Sequence, residues 1–119
     1  MAVYEHLPIF KQMMDVAVLM EKTVQQFSRY HKYTLGTELR SMCHHGLALI
    51  MEANSTRERH AVLLELRVLL EKIKIHLAIA REVGAFANKN AFSKAVDLVV
   101  GLCRQNEGWI KNTVEKQAG

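Results

Sequence analysis

The chain has 119 residues, half of them hydrophobic, with one proline and six glycines. That length accommodates one domain with a packed core, and so little proline and glycine excludes a β-rich or disordered protein. A net charge of +4 with a pI of about 9.2 suits a polyanionic partner but falls well short of histone-like charge.

The apolar spacing is helical from end to end. A first helix is expected near Pro8, a residue suited to the first turn, with Ile9, Met13, Val16, Met20, Val24 and Phe27 facing inward. The polar stretch from Ser28 to Tyr33 ends it. Thr34 is placed to cap a second helix carrying Leu35, Leu39, Met42, Gly46, Leu49 and Ala53, and Gly46 marks a close backbone approach on its core face. Asn54 and Ser55 break the pattern. Ser55 with Glu58 fits a capping box, so a third helix starts sharply there and runs to about Val83, where Gly84 stops it. Asn88 or Asn90 caps a fourth helix, on which Phe92, Val96, Val99, Cys103 and Ile110 continue to about Val114. Four helices of roughly 20 residues, each about 30 Å long, with short connections predict an all-α fold. The expected architecture is an antiparallel up-down-up-down four-helix bundle, one domain over residues 1–119.

The third helix carries more apolar surface than one face needs. Val62, Leu63, Leu66, Leu69, Leu70, Ile73, Leu77 and Ala80 form the inner face. Leu64, Val68, Ile75 and Ile79 form a second row at helical spacing on the other side. A helix that is apolar nearly all round is usually covered on both sides, and in so small a bundle a second chain must supply the cover. Leu47 and Met51 on the second helix, and Leu19 on the first, add to this outward surface. These residues predict a homo-oligomer.

Catalytic and metal chemistry is not indicated. Four-helix bundles that hold di-metal sites use Glu-x-x-His pairs, and the sequence has none. His44 and His45 are adjacent, so they point about 100° apart and cannot share a helical face. His76 falls on the inner face of the third helix, where a lone histidine is expected to be hydrogen-bonded structure. No GxxxxGK or GxSxG pattern appears. No enzyme activity, metal or cofactor is expected. Cys43 and Cys103 lack metal spacing and fall at helical core positions, as two buried free thiols of a reducing cytoplasm. No signal peptide or membrane span is read, so no membrane partner is expected.

Charge supplies the informative pattern. His60, Arg67, Lys74 and Arg81 stand seven residues apart on the third helix, close to two turns, and so form one cationic row. Only Glu71 is spaced to neutralise it, reaching Arg67 and Lys74. Arg57 and Arg59 lead into the row at the opening of the helix. Arg29 and Lys32 lie between the first two helices beside Tyr30 and Tyr33, and Arg40 follows on the second helix. An aligned row of this kind suits a phosphate backbone, neutralising it without reading bases.

The segment FSRYHKYTLGTELRSMCHHGLALIMEAN, and within it Arg29, Tyr33, Thr34, Leu35, Gly36, Leu39 and Arg40, resembles a signature of four-helix-bundle proteins related to the 23S rRNA intervening-sequence protein. Within that group the chain is most similar to the accessory variability proteins of diversity-generating retroelements, in length, basic character and the closing stretch from Gly108 to Lys111. The ribosomal-insert branch usually ends its second helix in an Asn-Ile-Ala-Glu-Gly type sequence, and Leu49 to Asn54 departs from it. The resemblance implies a non-catalytic accessory subunit, assembled as a homopentameric barrel. It would bind a reverse transcriptase and template RNA, with DNA as an alternative nucleic-acid partner, and support mutagenic cDNA synthesis. The contacts expected from the charge pattern are Arg67, Lys74, Arg81, His60, Arg57, Arg59, Arg29, Lys32 and Arg40. The alternatives are a protein–protein adaptor and a ribosomal-insert-type bundle of unrelated role, neither binding nucleic acid.

Overall fold

The computed structural model describes residues 3–118. A 3-10 turn (Val3–His6) precedes α1 (Pro8–Val24), α2 (Arg29–Tyr33), α3 (Leu35–Ser55), α4 (Arg59–Glu82) and α5 (Lys89–Ala118), and the described residues contain no strand. The four long helices pack together so that α1 touches α3 and α5, and α4 touches α3 and α5. Among the described residues, no helix is long and apolar enough to cross a membrane.

Each long helix turns one apolar stripe inward, as its spacing predicts. Met13 and Met20 from α1, Leu39 and Ile50 from α3, Leu66, Leu70, Ile73 and Leu77 from α4, and Val99 and Leu102 from α5 are fully buried in one core. Burial of each such side chain is worth roughly 1.5–3 kcal/mol. The expected faces of α1 and α4 match closely. That of α5 is rotated: Ala95, Leu102, Asn106 and Thr113 are buried, while Phe92, Val96 and Cys103 lie half-exposed at its edge. A second small cluster, Ala53 with Leu63 and Ile110, closes one end of the molecule.

The connections differ from the expected pattern, and each difference has a local cause. Pro8 does occupy the first turn of α1. That helix stops at Val24, and the polar stretch after it coils into α2, where the Lys32 amide donates to the Ser28 carbonyl at 2.8 Å. Thr34 stands at the N-cap position of α3, but its hydroxyl donates backward to the Tyr30 carbonyl at 2.7 Å and caps nothing ahead. Gly36 is needed there for space: a Cβ would lie 2.5 Å from Val24 Cγ1 and 3.2 Å from the His31 carbonyl oxygen. The close approach at Gly46 is to the Met13 side chain, whose sulfur would lie 2.8 Å from an added Cβ, and not to backbone.

The expected capping box at Ser55 and Glu58 does not form. α3 continues through Asn54 and Ser55, and α4 begins only at Arg59. The Ser55 hydroxyl donates back into its own helix, to the Met51 and Glu52 carbonyls at 3.4 and 3.3 Å. Thr56 makes the turn, its hydroxyl accepting from the Glu58 amide at 3.1 Å. Arg59 then reaches back to the Ala53 and Asn54 carbonyls at 2.7 and 3.3 Å, satisfying two acceptors that a helix end otherwise leaves open. The stop at Gly84 is as expected. Gly84 has φ of 71°, and the Gly84 and Ala85 amides donate to the Arg81 and Ala80 carbonyls at 3.1 and 2.8 Å, a Schellman motif. Asn88 caps α5 by accepting from the Ala91 amide at 2.8 Å.

Candidate nucleic-acid interface

The cationic row lies along the flank of α4 that meets α5. Arg67 faces Glu107 of α5 and donates to both carboxylate oxygens, at 2.8 and 2.6 Å. The pairing holds the Glu107 carboxyl below its ordinary range and raises the Arg67 guanidinium above its own. Lys74 pairs with Glu71 at 3.0 Å, which raises its ammonium. Arg81 sits 5.0 Å from the ring centroid of Phe92, with Glu82 3.5 Å away. His60 is half-buried, and its Nδ1 has no hydrogen-bond partner. The row is therefore more neutralised than its spacing predicts. Glu71 serves Lys74 alone, and the partner of Arg67 lies 40 residues away, where no helical-spacing rule finds it.

The remaining expected contacts divide into two groups. Arg40 donates to Glu21 at 2.6 Å, and the other oxygen of that carboxylate meets His44 at 3.1 Å, so Glu21 is held below its ordinary range, first by Arg40. Arg59 is spent on the carbonyls that end α3 and lies 5.8 Å from the Trp109 ring centroid. Both fasten helices together. Arg57 lies in the α3–α4 connection and does not open α4. Arg57, Arg29 and Lys32 enter no ion pair among the described residues. Tyr30 and Tyr33 beside them are 73% and 69% exposed.

The histidines and cysteines have structural surroundings. His44 and His45 diverge as expected, toward Glu21 of α1 and Glu65 of α4, and both are exposed. His76 is not a core residue: it is half-buried between the Lys72 carbonyl at 2.9 Å and Glu38 of α3 at 2.8 Å. Burial pushes the Cys43 thiol up to about 12. Cys103 is only partly buried, which still raises its thiol.

The outward apolar row on α4 is in place for three of its four residues. Val68, Ile75 and Ile79 are 53%, 58% and 42% exposed. Leu64 instead packs partly against the small Ala53–Leu63–Ile110 cluster, and Leu19 and Leu47 pack against the main core. Val83 extends the exposed surface at the end of the helix.

One cavity corresponds to no sequence motif. Arg81, Gly84, Phe86, Asn88, Lys89 and Phe92 line an open pocket of about 510 Å³ where α4 ends and α5 begins. The available signal is the alternation of cations and aromatics from Arg81 to Phe92, which spans two helices and a turn and so has no single period. No protein-family model matches the chain, and no curated protein matches it in sequence.

Proposed function

We propose that the chain is a non-catalytic accessory subunit that binds nucleic acid, chiefly template RNA, together with a reverse transcriptase, and so supports mutagenic cDNA synthesis in a diversity-generating retroelement. The observation that carries the binding is the alignment of Arg67, Lys74 and Arg81 along one flank of α4, with Arg57, Arg29 and Lys32 adding unpaired charge. The all-helical fold and the Phe27–Asn54 resemblance support the assignment to the accessory group. The bundle is read as antiparallel: Trp109 meets Arg59, Glu107 meets Arg67 and Phe92 meets Arg81, a falling order along α5 that supports it for the α4–α5 pair. The exposed Val68, Ile75 and Ile79 support burial against further copies; the pentameric ring is what the resemblance implies, and a reducing cytoplasm follows from reading Cys43 and Cys103 as free thiols. Five copies would repeat the flank around one particle and multiply the +4 of each chain.

Fluorescence anisotropy with a structured RNA at several salt concentrations tests this reading. Affinity is expected to fall linearly on a log–log plot, by about 0.7–0.9 in slope per phosphate neutralised. The triple variant Arg67→Ala, Lys74→Ala, Arg81→Ala is expected to weaken binding and flatten that slope. Unchanged affinity in the triple variant removes the row from the interface. A polymerase that is retained by nuclease-treated protein with no RNA affinity would identify a protein–protein adaptor instead.

A further inference from the structure

The pocket between α4 and α5 holds chemistry that phosphate neutralisation does not need. Phe86 and Phe92 meet edge to face, with centroids 5.5 Å apart, and form an aromatic floor. The Arg81 guanidinium covers Phe92 at 5.0 Å. A guanidinium in that position offers its planar face for stacking and its N–H fork for an anion. Glu82, its only carboxylate neighbour among the described residues, is solvent-exposed at 3.5 Å. Lys89 enters no ion pair among the described residues and lines the same opening. The Asn88 oxygen already accepts from the Ala91 amide, which leaves its NH2 to donate. The volume, about 510 Å³, falls among those of small-molecule sites.

A bare phosphate would leave the aromatic floor unused. A purely apolar molecule would cover two cations without answering them. A ligand that answers both has a flat ring and a negative charge one short linker apart. We propose that this pocket binds a nucleotide, its base stacked on the Arg81–Phe92 pair and its phosphate held between Arg81 and Lys89. An unpaired base in a single strand is free to enter, whereas a base within a duplex is not. That a strand supplies the nucleotide rests on the function proposed above; the nucleotide chemistry of the pocket does not.

The test uses the full chain with two probes: a fluorescein-labelled single-stranded RNA dodecamer followed by anisotropy, and adenosine 5′-monophosphate followed by calorimetry. The double variant Arg81→Gln, Lys89→Gln is expected to bind the dodecamer about tenfold more weakly, as two charge-assisted contacts are lost. Phe92→Leu, which keeps the site apolar, is expected to weaken the dodecamer by about fivefold or more and leave a duplex of the same sequence unchanged. The double variant Lys111→Gln, Lys116→Gln, on the distant half of α5, controls for net charge, and circular dichroism checks that every variant is folded. A dodecamer that binds wild type and the Arg81/Lys89 variant equally overturns the pocket and leaves the nucleic-acid reading standing. Binding of the mononucleotide alone, lost in the same variant, supports the pocket and overturns the strand as its source. Failure of both probes on wild type overturns the pocket, and failure of the structured RNA as well overturns the nucleic-acid reading.

Discussion

At the scale of single residues, Glu107 illustrates how the helices are fastened. It accepts both donors of Arg67 across the α4–α5 contact, and its carboxyl is thereby held below the ordinary 4.5. A carboxylate whose folded pKa is depressed stabilises the fold fully above its ordinary value, and that contribution is lost as pH falls through the depressed value. The melting temperature is therefore expected to decline below pH 4.5, with Glu21, also lowered, contributing to the same limb. Glu107→Gln is expected to lower the melting temperature slightly at pH 7 and to make its acid decline shallower. Thermal melts across pH check this, and an equally steep decline in the variant would show that the pair contributes nothing. None of this was legible beforehand, because the sequence shows only neighbours at helical spacing. The partner of Arg67 is brought to it by tertiary packing, 40 residues away in the sequence.

At the scale of elements, two glycines separate backbone conformation from packing. A Cβ on either Gly84 or Gly108 would meet nothing within 4 Å. Gly84, however, has φ of 71° at the end of α4, whereas Gly108 lies within α5. Gly84→Ala is expected to cost about 1 kcal/mol, since alanine pays for the left-handed conformation. Gly108→Ala is expected to add about 0.5–1 kcal/mol, since alanine is the better helix former. Urea midpoints of the two variants should move in opposite directions; a shared direction would contradict the account of the α4 stop. Gly84 and Pro8 were readable because their conformational signals are local. The α3–α4 boundary was not. Ser55 followed by Glu58 matches a capping pattern, yet Arg59, from beyond the turn, bonds the carbonyls of Ala53 and Asn54 and lets α3 run on. A boundary set by a side chain from the next helix has no signature at the boundary itself. The rotation of α5 has a similar origin: buried Asn106 donates to the Leu63 carbonyl at 3.1 Å, a polar residue on a face that an apolar pattern cannot include.

At the scale of the whole molecule, the inner stripes of four amphipathic helices were sufficient to foresee the all-helical core, while the outward surface decides what the molecule does with others. Val68, Ile75 and Ile79 stand exposed along α4, on the side away from Leu66, Ile73 and Leu77. Under the proposed assembly, sedimentation velocity at micromolar concentration is expected to show a species several times the 13.6 kDa chain mass. The pair Ile75→Lys, Ile79→Lys, at exposed positions, is expected to convert it to monomer with the helical signal retained. A wild-type monomer under those conditions would remove the ring. The junction at the opposite end from the nucleotide pocket has a different consequence. Trp109, the only tryptophan, lies beneath Arg59, whose guanidinium also holds the end of α3. Its fluorescence is thus a built-in gauge of the place where α3, α4 and α5 are clasped together. Opening of that clasp alone would shift the emission spectrum while most of the ellipticity remained.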